Sequence, residues 1–149
     1  MNGSSVTTAA IISLIEELED ISSAFYDRLA ERWTEHKPTF LGFSADGRKN
    51  KIQIVRTYQE TITDALEASY SFEGFNPQAY QVDTALAAGA SYAEGLRAAI
   101  ALEQNACAFY EDVAARSESL LATIPRAFRR VAKLRGQRRQ KLEAMLKEA

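Results

Sequence analysis

The chain is poor in the residues that build most metal sites and covalent catalytic sites. Its 149 residues include one cysteine, Cys107, and one histidine, His36. One cysteine excludes an intramolecular disulfide and a cysteine-based zinc cluster. One histidine excludes a histidine-rich metal site, and any histidine-based triad would have to use His36. We expect Cys107 to be a buried, unreactive thiol on a packed helix and His36 to lie at the surface between two helices.

Long apolar runs, targeting patterns and nucleotide-binding motifs are also missing. No apolar stretch approaches the roughly 18 residues of a membrane span, and the start, Met-Asn-Gly-Ser-Ser, lacks a basic signal-peptide region. We find no P-loop, no Gly-rich dinucleotide turn and no catalytic-serine context. The sequence therefore predicts a soluble, cytoplasmic protein with a single domain over residues 1–149.

Neither sign of charge dominates, since the formal net charge is −2. The last quarter of the chain is locally basic, from Arg126 to Lys141, but no aromatic residues that could stack on bases interleave with these charges. We therefore predict a solvated helix face and buried ion pairs, with no nucleic-acid partner and no membrane partner.

An internal repeat is the most informative feature that is present. Leu-Glu, followed five residues later by Ala-Phe-Tyr, begins at Leu18 and recurs 84 residues on at Leu102. Seven of fifteen residues are identical between positions 18–32 and 102–116. The spacing is too long for a solenoid repeat, so we infer two similar helices in two halves of one fold.

Apolar residues that recur every three or four positions predict four long helices. The first runs from Thr8 to about residues 34–37, with Thr7 or Thr8 as its N-cap. The second begins at Pro38, or at Asp46-Gly47 if that pair interrupts it. The third follows Gly89 and ends near residues 117–119, and the fourth begins at Pro125.

The segment between the second and third helices is predicted to be a long crossover. Residues 70–81 contain a helix-breaking Gly and Pro among several aromatics, and residues 82–88 form a short helical piece. No β pattern competes with the helices. The fold class is therefore all-α, an antiparallel four-helix bundle of two hairpins joined by the longer crossover.

The repeat places one acid, Glu19 or Glu103, on the apolar side of each helix. Small residues one turn further along leave room around each carboxylate. If two like hairpins are related by a pseudo-twofold axis, these acids approach each other in the core. Two buried carboxylates repel each other and need a cation between them.

Both Glu-x-x-x-x-x-Phe-Tyr motifs resemble those of the ferritin-like superfamily, in particular its short rubrerythrin-like domains, and the resemblance covers residues 10–146. In that family the first and third helices carry this motif, while the second and fourth carry Glu-x-x-His and complete a di-iron or similar site. The resemblance implies a ferritin-like fold and a homodimer. It also implies that Tyr26 and Tyr110 lie beside the site.

The Glu-x-x-His half of the pattern is absent from the fourth helix. The family's ligand positions fall on Arg135 and Arg138, two arginines in the middle of an apolar stripe. A guanidinium is always protonated and cannot ligate iron, but it bonds carboxylates in bidentate fashion. We therefore predict that these arginines pair with Glu103 and Glu19 where the metals would lie, and that Tyr26 and Tyr110 bond the same carboxylates.

The second helix also lacks the motif. Aligning its start with that of the fourth helix puts Arg48 and Lys51 at the ligand positions, whereas a slip of two residues puts Asn50 and Gln53 there. Neither register supplies a carboxylate and a histidine. The six positions Glu19, Glu103, Arg135, Arg138, Arg48 and Lys51 are thus predicted to be a vestigial metal site, with no catalytic residue and no metal.

The leading functional prediction is a non-enzymatic structural or regulatory bundle without a cofactor, in which a Glu-Arg network replaces the metals. One alternative is an oxidoreductase with an atypical iron or other divalent-metal site, using Glu60 or Asp64 as additional ligands, that reduces peroxide or oxidises ferrous iron. A further alternative is a binder of a small anionic ligand held by arginines between the helices. We expect the homodimer to bury the aromatic residues Trp33, Phe72, Phe75 and Tyr80.

Overall fold

Four long helices make up most of the computed structural model, which describes residues 6–61, 71–118 and 123–149. They are α1 (Thr8–Arg32), α2 (Lys37–Thr61), α3 (Tyr92–Arg116) and α4 (Thr123–Glu148). Short 3₁₀ segments lie at Thr34–His36 and Pro77–Tyr80. Within these described ranges there is no β-strand, and the predicted all-α four-helix bundle is confirmed.

The helix ends follow from their capping residues. The Thr7 side chain accepts a hydrogen bond of 3.1 Å from the Ala10 N–H, which makes Thr7 the N-cap of α1. At the start of α3, Ser91 and Glu94 form a capping box with two reciprocal bonds of 3.1 Å. These caps satisfy backbone N–H groups that a helix start leaves without partners.

Helix α2 continues through Asp46-Gly47, so the alternative start at that pair is wrong. A helical glycine at 47 is explained by packing rather than by a break in the helix. A Cβ there would lie 2.9 Å from Ser23 Oγ, closer than real Cβ contacts allow. Ser23 and Ser44 exchange side-chain to backbone bonds of 3.1 and 3.2 Å across the same contact, which holds α1 and α2 close together.

The two hairpins are formed by close packing of α1 on α2 and of α3 on α4. The predicted helical piece at residues 82–88 is wrong, because no helix forms there. An arginine of α1 donates hydrogen bonds to backbone carbonyl groups of this stretch. Arg32 Nη2 lies 2.8 and 2.7 Å from the backbone oxygens of Ala87 and Ala88. Those carbonyls bond across the fold instead of within a local helix.

Buried apolar side chains form two clusters, one toward each end of the bundle. The first includes Ile11, Ile15, Phe72, Phe75, Phe109, Phe128 and Val131, and the second includes Phe25, Leu29, Phe40, Leu96, Ala99 and Leu142. Glu19 follows Ile15 and precedes Phe25 along α1, so it falls between the two clusters. A polar layer at mid-bundle therefore separates two apolar halves.

The four aromatics predicted to cover a dimer interface pack within the chain instead. Phe72 and Phe75 are buried in the first cluster, and Tyr80 stacks on Phe75 with ring centroids 5.7 Å apart. Trp33 lies so close to α3 that a Cβ at Gly95 would be 2.7 Å from its ring. The prediction is wrong for Phe72 and Phe75, which are buried within the chain, whereas Trp33 and Tyr80 are half-buried. Across the described ranges, no helix is long and apolar enough to span a bilayer.

Candidate functional site: a buried charge network

Four charged side chains meet in the polar layer at mid-bundle. Glu19 comes from α1, Glu103 from α3, and Arg135 and Arg138 from α4. Glu19, Glu103 and Arg135 are fully buried, and Arg138 is 6% exposed. Ionised groups are rarely buried to this degree unless they are paired, so the geometry of the pairing determines whether the layer is tolerated.

Arg135 bridges the two carboxylates. Its Nη2 donates to Glu19 Oε1 at 2.6 Å, and its Nη1 lies 3.0 and 2.9 Å from Oε1 and Oε2 of Glu103. Nη1 also donates to Ser22 Oγ at 3.0 Å. Burial alone would lower the pKa of Arg135, but the charges of Glu103 and Glu19 outweigh it and hold that pKa well above its usual value.

Arg138 is attached more loosely to the same network. Its Nη1 lies 3.4 Å from Glu103 Oε2, and its guanidinium carbon is 5.5 and 5.2 Å from the ring centres of Tyr26 and Phe43. Cation–π attraction to the two rings supplements the long hydrogen bond. Both arginines therefore pair with carboxylates, but of these two arginines only Arg135 bonds Glu19.

Two tyrosines complete the network by crossing between the hairpins. The Tyr26 hydroxyl of α1 donates to Glu103 of α3, and the Tyr110 hydroxyl of α3 donates to Glu19 of α1 at 2.5 Å. Burial, followed by the nearby carboxylate charge, raises the pKa of both tyrosines well above 10. Both hydroxyls therefore stay protonated and act as donors to the two carboxylates.

Helix α2 presents Gly47 and Asn50 to the network side, and neither Arg48 nor Lys51 joins it. Arg48 pairs with Asp27 at 2.7 Å and Lys51 with Asp20 at 2.8 Å, both with partly exposed side chains. A Cβ at Gly47 would lie 3.2 Å from Glu19 Oε1, so the glycine leaves room for that carboxylate. The α2 residues that face the network thus lie one position before Arg48 and Lys51, the two residues that the proline alignment predicted.

The inward register of α2 could have been found from its own periodicity. Five buried residues are spaced by three and four positions, as in a helical seam: Phe40, Phe43, Gly47, Asn50 and Ile54. Glycine and asparagine interrupt the apolar character of this stripe. The spacing of the buried apolar residues before Gly47 and after Asn50 therefore predicts the inward register of α2 better than the alignment of the two prolines does.

The residues of this layer do not fit a dimetal centre. Each oxygen of Glu19 already accepts a bond, Oε1 from Arg135 and Oε2 from Tyr110, and both oxygens of Glu103 accept bonds from Arg135. The cationic guanidinium of Arg135 occupies the space between the two carboxylates, which is where a metal ion bound by both of them would lie. Nowhere in residues 6–61, 71–118 and 123–149 do three or more His, Cys, Asp or Glu side chains form a group that could hold a metal.

The remaining singled-out residues lie outside this layer. Glu60 is exposed, and Asp64 lies outside the described residues. Cys107 is half-buried, and burial followed by its bond to Glu111 raises the pKa of the thiol to about 11. His36 is half-buried rather than at the surface, because its ring stacks on Tyr92 with centroids 4.5 Å apart.

Comparisons of the chain with known proteins found no matching family model, no matching curated protein and no matching solved structure. The role of the charge network must therefore be inferred from its own chemistry. The likeness to ferritin-like domains stays a prediction from the two repeated motifs.

Proposed function

We propose that the protein is a non-enzymatic helical bundle with a structural or regulatory role, in which a Glu-Arg network takes the place of the dimetal centre of ferritin-like domains. The observation that carries this proposal is the position of the Arg135 guanidinium, which bonds both Glu19 and Glu103 in a fully buried layer. The electrostatic need of the two acids is met by the chain itself.

The pattern of retained and replaced positions supports the same interpretation. The two acids and both tyrosines of the repeated motif converge in the layer, as a ferritin-like ancestry would require. The partners that should supply ligands are arginines on α4 and Gly47 and Asn50 on α2. A site that keeps half of its acids and replaces the rest with cations and neutral residues is consistent with a lost metal function.

The chemistry of the layer also favours a non-enzymatic role. A general acid or base must exchange protons with a substrate, but the two acids and Arg135 are fully buried and bonded to one another. The tyrosine hydroxyls are committed as donors to carboxylates. The atypical oxidoreductase alternative needs further ligands beside Glu19 and Glu103, and no observation on the described residues favours it over the ion network.

The direct test is metal analysis of protein expressed in medium supplemented with iron and manganese. We expect the wild-type chain to contain far less than one metal ion per molecule after purification without chelator. A matched variant, Arg135→Glu/Arg138→His, introduces Glu-x-x-His into α4 and should retain more metal. Near-stoichiometric iron or manganese in the wild type would contradict the proposal.

Activity and assembly are tested separately. Peroxide-dependent turnover that is lost in Glu103→Ala would support the oxidoreductase alternative instead. The proposed homodimer should elute at twice the mass of the chain in gel filtration with light scattering. The exposed apolar residues Leu41 and Ile52 lie eleven positions apart on α2 and are the first candidates for its interface, and a strict monomer would refute it.

A further inference from the structure

A second polar feature lies beside the charge network, between α2 and α4. A cavity of about 440 Å³ opens to solvent there, lined on one side by residues 43–53 of α2 and on the other by residues 130–141 of α4. Its volume lies within the range of about 300–1,000 Å³ that is typical of small-molecule sites. Arg138 belongs both to the lining of this cavity and to the network.

The cavity has a marked excess of positive charge. Four of its lining residues are basic, namely Lys49, Arg130, Arg138 and Lys141, and only Asp46 is acidic. The whole chain carries a net charge of −2, so this concentration of cations is a local feature. A concave surface with one dominant sign of charge attracts ions of the opposite sign.

One of the residues that line the cavity, Asn50, carries a buried donor without a partner. Asn50 is 5% exposed, and its Nδ2 finds no acceptor among the described residues. A buried polar group left without a hydrogen bond destabilises a fold, so its presence calls for an explanation. An acceptor oxygen of a ligand in the cavity would satisfy it.

Arg138 has donor capacity left for the same ligand. In the described part of the chain its guanidinium donates one hydrogen bond, of 3.4 Å, to Glu103. That is longer than the roughly 2.7–2.9 Å of a strong charge-assisted bond, and most of the five N–H donors of the fork remain. The fork matches the spacing of two oxygens on a carboxylate or phosphate.

We propose that this cavity binds a small oxyanion, a phosphate or carboxylate group, held by the buried Arg138 and Asn50 and by Lys49, Arg130 and Lys141 at the rim. The inference goes beyond the proposed function and does not depend on it. Because Arg138 also contacts Glu103, the bound anion and the buried network share one guanidinium. Because the anion binds the folded chain and not the unfolded one, occupancy of the cavity stabilises the bundle against unfolding.

The test uses the full chain and three probes at equal ionic strength: inorganic phosphate, succinate and sodium chloride. We expect phosphate or succinate to raise Tm in a saturable way that chloride does not reproduce, and the stronger of the two identifies the class of oxyanion. Calorimetric titration then gives Kd. Equal shifts with all three salts, or no shift, would overturn the proposal.

Variants separate a binding site from general charge screening. Lys49→Ala and Lys141→Ala change exposed rim residues and should each weaken binding about tenfold. Lys133→Ala removes an exposed lysine of α4 that does not line the cavity and should leave Kd unchanged. Equal weakening in all three variants would contradict a defined site.

Asn50→Leu distinguishes a ligand contact from a structural residue. It removes the unpartnered donor and keeps the same branched arrangement of four side-chain heavy atoms, so we expect a higher Tm without anion together with weaker anion binding. A lower Tm with unchanged binding would overturn the role given to Asn50. These readouts are independent of the metal content that tests the proposed function.

Discussion

Arg135→Met is the perturbation that tests the charge network most directly. Methionine keeps much of the side-chain volume but removes the cation that bonds Glu19 and Glu103. Breaking a buried ion pair by removing one partner destabilises a protein by roughly 3–5 kcal/mol, because the remaining charge stays buried. Here two carboxylates lose their shared partner, so we expect the upper part of that range at pH 7.

The size of the loss can be measured by urea denaturation and by Tm. For a chain of this length, each kcal/mol corresponds to about 2–4 °C, so a loss of about 4–5 kcal/mol should lower Tm by roughly 8–20 °C. Arg48→Met is the matched control, since Arg48 forms an exposed pair with Asp27 and should lose less than about 1 kcal/mol. Comparable losses in both variants would refute the special role of Arg135.

The physical cause can be separated from lost packing by neutralising one acid. In the Arg135→Met background, Glu19→Gln should recover most of the lost stability, because Glu103 keeps Arg138 as its partner and no buried charge is left unpaired. Lowering the pH should also help Arg135→Met, since its folded state favours protonated carboxylates more strongly than the unfolded chain does. If neither change reduces the deficit, lost packing is the cause and the electrostatic reasoning is wrong.

Three further predictions concern residues next to the network or apart from it. A Cβ at Gly42 would meet open space, so Gly42→Ala should stabilise α2 by about 0.5–1 kcal/mol in urea denaturation. Gly47→Ala should destabilise the protein, because its Cβ would press on Ser23 Oγ and Glu19 Oε1. Equal gains in the two variants would contradict the packing argument. The contribution of Tyr26 to stability is fully present below about pH 10 and should be lost above it, because Tyr26 stays protonated in the folded state while the unfolded chain loses the proton. Tyr26→Phe should therefore reduce the pH dependence of unfolding between about pH 9 and pH 11 by up to about 1.4 kcal/mol per pH unit, and an unchanged slope would exclude this cause. Alkylation of Cys107 near neutral pH should be slow, because burial and the bond to Glu111 raise the pKa of its thiol to about 11. Glu111→Ala removes the acceptor and its charge and should accelerate alkylation in a mass-spectrometric assay; an unchanged rate would rule out Glu111 as a cause.

Helix positions and the acid-arginine pairing were predictable because both follow from local patterns. The spacing of apolar residues and the N-cap at Thr7 define α1, and the two arginines lie on the apolar seam of α4, where they pair with the acids on the apolar sides of α1 and α3. The crossing of the tyrosine bonds was not predictable in detail. It depends on how the hairpins are rotated about each other, which no single helix encodes.

Two predictions from the sequence were wrong because long-range contacts override the local preference for helix or for a helix break. Residues 82–88 have helical composition, but their carbonyls bond Arg28 and Arg32 of α1. Gly47 looked like a helix break in the sequence, but it is a close contact between two helices. In both cases the deciding partner lies far away along the chain, so no local window of sequence could contain it.

The uneven division of buried charge between the two hairpins has a consequence for assembly. The α1–α2 hairpin contributes one acid to the layer, Glu19, and the α3–α4 hairpin contributes Glu103 with two arginines. The first half therefore carries a buried charge of −1 and the second a buried charge of +1. Pairing of two like halves would bring equal charges together in an apolar interior, whereas unlike halves neutralise each other. The same layer that holds the folded chain together thus favours the association of unlike halves over that of like halves.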